Sequence, residues 1–194
     1  MKLKLFFLTL FILIFSLSVE NSFGSSEPIF ITQSSSMENI VFDGKWTNYL
    51  EWKQSSHNIV SFDNGKEILH LRTAHYGDYI YVFVDPITDL TIDNNMDEAT
   101  ICFDGNNNKN EFFENDDFCF SILLETNQGN IFQGTLIENS KTIMKKISNP
   151  ENFIAISTVS DENDRYTTTP HPSYEFKIPI ELLKTAAREG CLKL

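Results

Sequence analysis

Tyr79-Ile80-Tyr81-Val82-Phe83-Val84 decides the fold. Every residue in it is aromatic or β-branched, the types that pack best on a pleated surface. Asp85-Pro86 stops the run, because proline cannot donate to a strand ladder. The stretch predicts a strand over 79–84. Similar runs lie on both sides of it. Ile68–Thr73 precedes it and Ala99–Phe103 follows. Phe118–Glu125 places Phe118, Phe120, Ile122 and Leu124 on one face at a period of two. Further strands are predicted over Asn130–Leu136, Phe153–Val159 and Ser173–Ile178. Ile40–Phe42 is a short apolar run ended by the turn dipeptide Asp43-Gly44. Only Pro179–Arg188 reads as helical, with Pro179 at its start, where a missing N–H costs nothing. Many short strands separated by Gly, Asn and Asp turns indicate an all-β chain: a two-sheet antiparallel β-sandwich, jelly-roll or immunoglobulin-like, with one short C-terminal helix.

The chain has 194 residues, enough for one ordinary domain. Apolar residues make up 41%, including 17 Phe, so a real core can form. The net charge is −12, from 15 basic and 27 acidic side chains. That excludes a nucleic-acid backbone as partner, since like charges repel and no basic patch can release counterions. It also disfavours docking on anionic lipid, and it suits divalent cations.

Lys2 and Lys4 form a basic start, and Leu5–Leu17 is apolar except for Thr9 and Ser16. Ser22 and Gly24 supply small residues before a cleavage point, so residues 1–24 read as a signal peptide. The apolar run is shorter than the roughly 20 residues that cross a bilayer. An uncleaved N-terminal anchor is the alternative, and residues 1–24 are then the one membrane contact. Either way the chain is expected in the secreted or cell-envelope compartment. Removing residues 1–24 takes away two lysines and one glutamate, so the charge moves from −12 to −13. Residues 25–36 read as a flexible, Ser-rich lead-in, 37–186 as the sandwich and 187–194 as a short tail.

There are three cysteines, Cys102, Cys119 and Cys191, so at least one is unpaired within the chain. Cys102 and Cys119 sit in neighbouring strand-like runs. A hairpin between those runs turns both to one side and allows a disulfide. Two free thiols behaving as small apolar residues are the alternative.

The order of motifs resembles the carbohydrate-binding module family 9-like, or DOMON-like, domains. Phe42-Asp43-Gly44-Lys45-Trp46 and Glu51-Trp52 are similar to their opening, and Tyr79–Asp85 to a central strand. Asp97–Asp104 with Asp116-Asp117-Phe118 resembles the next strand and loop. Tyr174-Glu175-Phe176-Lys177-Ile178-Pro179 resembles their closing segment. The resemblance spans about residues 38–183. It implies a non-catalytic module that binds glycan or cell-surface carbohydrate. Such domains commonly carry a closing strand after this segment, and this sequence departs from them by ending eleven residues past Leu183.

Sugar binding needs aromatic faces flanked by hydrogen-bonding groups. Tyr76, Phe112, Phe113 and Tyr166 are the candidates, with Tyr49 beside them. Trp46 and Trp52 read instead as core packing. A calcium ion takes about six to eight oxygens. Asp104, Asn106, Asn108 and Asn110 offer oxygens at alternate positions, and Glu111, Glu114, Asp116 and Asp117 can complete the shell. The predicted metal ligands are Asp104, Asn106, Asn108, Asp116 and Asp117. A solvated Asn-rich loop is the competing reading, since Asn tolerates left-handed turns. Haem would need axial ligands from His57, His70, His75, His171, Met96 or Met144. His171, between Pro170 and Pro172, reads as an exposed turn. No nucleophile elbow or metalloprotease motif is present, so no enzymatic role is expected. The alternatives to sugar binding are an envelope adaptor that binds a protein partner and, third, a haem-binding redox module.

Overall fold

A computed structural model describes residues 28–62, 65–110, 112–137 and 141–184. The expected signal segment, the tail 187–194, Cys191 and Glu111 lie outside the described residues. The strands are β1 (Thr32–Gln33), β2 (Ser56–Phe62), β3 (Glu67–Tyr76), β4 (Tyr79–Asp85), β5 (Glu98–Phe103), β6 (Phe118–Leu123), β7 (Asn130–Ile137), β8 (Lys141–Ile147), β9 (Ile154–Val159) and β10 (Pro172–Pro179). They form two sheets, and the fold is the all-β sandwich that the strand pattern predicts. In the six-stranded sheet the order is β1-β3-β4-β10-β9, with β2 on the β1 side of β3. The four-stranded sheet runs β5-β6-β7-β8, all antiparallel.

β4 explains its own sequence. Ile80, Val82 and Val84 point between the sheets, where they meet Phe120, Ile122, Ile131, Phe176 and Ile178. Tyr81 and Phe83 point the other way, into a second buried cluster with Met37, Trp46, Trp52 and Ala74. A strand covered on both faces has no polar side to show, so its sequence is apolar throughout. The segment before β2 supplies the cover. Phe42 stacks on Tyr81 at 6.3 Å and Trp52 on Phe83 at 5.5 Å between ring centres.

Four stretches differ from the sequence pattern. Residues 32–36, expected as flexible lead-in, are tied down instead. β1 pairs in parallel with Ala74 and His75, and Ser34 caps a 3-10 helix over Ser35–Asn39. Ile40–Phe42 is not a strand but part of the cover. β2 and β8 have no counterpart among the predicted strands. Both lie at sheet edges, where half of each strand faces water and the apolar signal is diluted. Pro179 ends β10, and the helix α1 (Ile180–Lys184) begins one residue later.

Candidate functional site

The outer face of the six-stranded sheet carries polar groups that its apolar cover encloses. Glu175 on β10 is fully buried. Its Oε2 accepts the backbone N–H groups of Asp43 and Gly44 at 2.9 and 2.8 Å, and its Oε1 accepts the indole N–H of Trp52 at 2.9 Å. Burial pushes its carboxyl up to about 8, and the three donors only partly offset this. Gly44 makes the approach possible. Its φ is +90°, and a Cβ there would lie 2.7 Å from the Ser157 carbonyl carbon on β9.

Nearby, Asp85 at the end of β4 meets His171 with 2.5 Å between Oδ1 and Nε2, both side chains fully buried. His171 Nδ1 lies 2.8 Å from the Thr169 carbonyl and 2.8 Å from Ser160 Oγ. A carbonyl only accepts, so Nδ1 carries a proton and faces Ser160 as a donor. It cannot act as a base toward that hydroxyl, and the Ser160–His171–Asp85 chain is a structural tie. Burial disfavours the imidazolium, but Asp85 and Thr169 outweigh it and hold His171 above the usual histidine value. Burial lifts Asp85 to about 6 against the pull of His171. His171 is therefore not the exposed turn that its flanking prolines suggested. Its three partners make burial tolerable.

Toward solvent the same face carries a strip of rings and cations. Tyr166 stacks on His70 at 3.8 Å and on His57 at 5.3 Å. Its hydroxyl accepts from Arg72 Nε at 2.7 Å. The Arg72 guanidinium lies 5.2 Å from the centre of the Trp46 ring, and Arg165 follows at 5.4 Å from Trp46 and 4.3 Å from Tyr49. His57 Nε2 faces His70 Nδ1 at 2.8 Å. Burial, His57 and Arg72 lower His70 to about 4, and burial with Arg72 lowers His57 too, so neutral rings share that hydrogen bond. Half the Tyr49 surface is exposed (51%).

The four sugar-binding candidates do not converge. Tyr166 belongs to this strip. Tyr76, at the end of β3, packs on the buried cluster around Met37 and Tyr81. Phe112 and Phe113 are exposed on the β5–β6 loop of the other sheet. The strip's other members, Arg72, Arg165 and His57, come from three separate segments, and no spacing in the sequence joins them.

The β5–β6 loop gathers three of the five predicted metal ligands. Carboxylate oxygens of Asp104, Asp116 and Asp117 lie within 4.8 Å of one another. One oxygen of Asp116 is buried with no hydrogen-bond partner. Burial and the charges of Asp116 and Asp104 raise the Asp117 carboxyl. Asn106 and Asn108 are engaged elsewhere through their amide groups. Their amide nitrogens point at Glu114, as does that of Asn110, at 3.5, 2.6 and 2.8 Å. Asn107 and Lys109 take positive φ, the left-handed geometry of a tight loop. At the base of the loop Cys102 and Cys119 are directly paired across β5 and β6 and joined by a disulfide.

The remaining haem-ligand candidates are dispersed. His75 lies on β3 five residues from His70, Met96 is exposed in the loop before β5, and Met144 is on β8 of the opposite sheet. No protein-family model matches this chain, and no curated protein or solved structure does.

Proposed function

We propose that this chain is an exported, non-catalytic binding module of the family 9-like type that takes glycan on the outer face of the six-stranded sheet. The ring strip from Tyr49 to His57 carries the reading. It combines the half-exposed Tyr49 ring and the part-buried Tyr166 ring with guanidinium and imidazole donors, the pairing that a sugar ring needs for stacking and for its hydroxyls. The buried Glu175 and Asp85 networks hold the strip's backbone rigid, which reduces the entropy lost on binding. In the same reading calcium occupies the Asp104, Asp116 and Asp117 trio, relieving the mutual repulsion of three carboxylates. A glycan array probed with the exported protein, with and without chelator, tests this. Binding to a defined glycan class supports it. No binding under either condition overturns it and leaves the envelope-adaptor reading. A visible spectrum without a Soret band disposes of the haem reading.

A further inference from the structure

The two sheets part along one side, between the β2–β3 edge and β5. The opening is a cleft of about 1180 Å³. Leu69 and Leu71 of β3 line one wall, and Ile101 and Phe103 of β5 line the other. Its mouth leaves apolar surface in water, with Phe62 at 51%, Leu90 at 60% and Met96 at 78% exposure. The volume exceeds the roughly 300–1,000 Å³ of ordinary small-molecule sites, so a single sugar would not fill it. Its walls are mainly apolar, which suits a hydrocarbon better than a sugar's hydroxyls. The charge at the cleft is of one sign. Glu67, Asp89, Asp97 and Glu98 line it, and no Lys, Arg or His does among the described residues. Three of these carboxylates act on one spot inside. The Tyr174 hydroxyl is held above its ordinary range by burial and by Asp97, Asp89 and Glu98.

We propose that this cleft binds one long alkyl chain whose polar end carries a positive charge. The apolar walls take the chain, and the acidic rim takes the cation. An alkyl carboxylate of the same length meets four like charges instead. The site is independent of the ring strip, which lies on the opposite face of the same sheet. The two can therefore fail separately.

The test is uptake of N-phenyl-1-naphthylamine by the purified exported protein, read by fluorescence. Competitors are octylamine, decylamine and dodecylamine, with dodecanol and dodecanoate, all below their aggregation concentrations. Probe uptake is expected, and each added methylene should tighten amine binding about fourfold. Dodecylamine should outcompete dodecanoate by about tenfold or more at low salt. Glu67→Gln with Glu98→Gln changes two exposed rim residues. Asp89 and Asp97 remain, so it should reduce the preference for dodecylamine over dodecanoate without abolishing it, and leave dodecanol unchanged. Ile101→Trp fills the cleft and should weaken all three competitors, with the folded state checked by circular dichroism. Absence of probe uptake overturns the site. Equal or tighter binding of dodecanoate overturns the charged end group. Concentration-dependent dimerisation without probe uptake would assign the cleft to a second copy and also overturn the proposal.

Discussion

Glu175 accepts the indole N–H of Trp52 at 2.9 Å across 123 residues of sequence. This contact fastens the cover segment to β10, and with it the Trp46 and Tyr49 end of the ring strip. Trp52→Phe keeps most of the buried volume but strands one carboxylate oxygen in a dry site. A buried acceptor without its donor costs about 1–3 kcal/mol. Urea unfolding should show a loss of that size. A loss below about 0.5 kcal/mol would mean that the contact does not hold the cover.

The same buried groups set a pH dependence. Glu175 is raised to about 8 and Asp85 to about 6, and His171 is raised as well. In each case the folded state holds its proton more tightly than the unfolded chain does. Stability from these groups is full below their unfolded values and falls as pH climbs through the folded ones. His70, lowered to about 4, works the other way: its contribution is lost as pH falls from the usual histidine value toward 4. Asp85 completes most of its change by about pH 6, so the window above pH ~6.5 isolates Glu175 and His171. Stability should drop between pH 6.5 and 8, on the order of a few kcal/mol at most. Glu175→Gln should flatten that drop. Stability that rises over the window, in both proteins alike, would contradict the assignment.

Gly44 should tolerate no side chain. Its φ of +90° strains any L-residue, and an added Cβ meets the β9 backbone at 2.7 Å from Ser157 C and 2.8 Å from Thr158 N. Neither atom can swing aside as a side-chain tip can. Gly44→Ala should cost about 3 kcal/mol or more. Gly65→Ala is the control. It shares the positive φ of +86° but has nothing within 4 Å, so about 1–2 kcal/mol is expected. Equal losses in the two variants would remove steric contact as the cause.

The strand signal was legible where burial was strong. β4, β6 and β10 each bury a continuous apolar face, and their residues show it. β2 and β8 escaped because an edge strand alternates weakly and carries Ser, His, Asn or Lys on its open side. Trp46 and Trp52 read as core, and the structure buries both. Glu175 stood in a quoted motif, yet a glutamate in a strand gives no sign of the three N–H donors converging on it. Those donors come from a turn more than 120 residues upstream. His171 misled for a related reason. Flanking prolines fix its backbone but say nothing of Asp85 waiting beneath it. The acidic loop was half legible. The spacing picked out its oxygens, but Asn106 and Asn108 turn their nitrogens to Glu114, a choice that depends on three-dimensional partners.

Two ties should act together at that loop. The Cys102–Cys119 disulfide closes a separation of 17 residues, which by chain entropy is worth about 3 kcal/mol. Mild reduction should lower the unfolding midpoint accordingly. Calcium should raise the thermal midpoint of the oxidised protein and raise it less after reduction, because the loop ends are then free. Asp104→Ala with Asp117→Ala should abolish the calcium response while leaving the disulfide contribution intact. A midpoint indifferent to calcium in the oxidised protein would remove the metal from the reading.

Under the glycan proposal, Tyr166 distinguishes the stacking platform from its support. Its ring stacks on His70 and His57, and its hydroxyl only accepts from Arg72. Tyr166→Phe keeps the ring and loses the hydrogen bond, so glycan affinity should fall by about threefold to tenfold. Tyr166→Ala removes the stacking face and should weaken binding by more than about tenfold. Phe112→Ala with Phe113→Ala alters exposed rings on the other sheet and should leave glycan affinity unchanged. Titration of the bound glycan class by calorimetry, with the thermal midpoint measured alongside, distinguishes a lost platform from a loosened fold. If the loop pair weakens binding and the Tyr166 variants do not, the sugar belongs to the β5–β6 loop rather than to the strip.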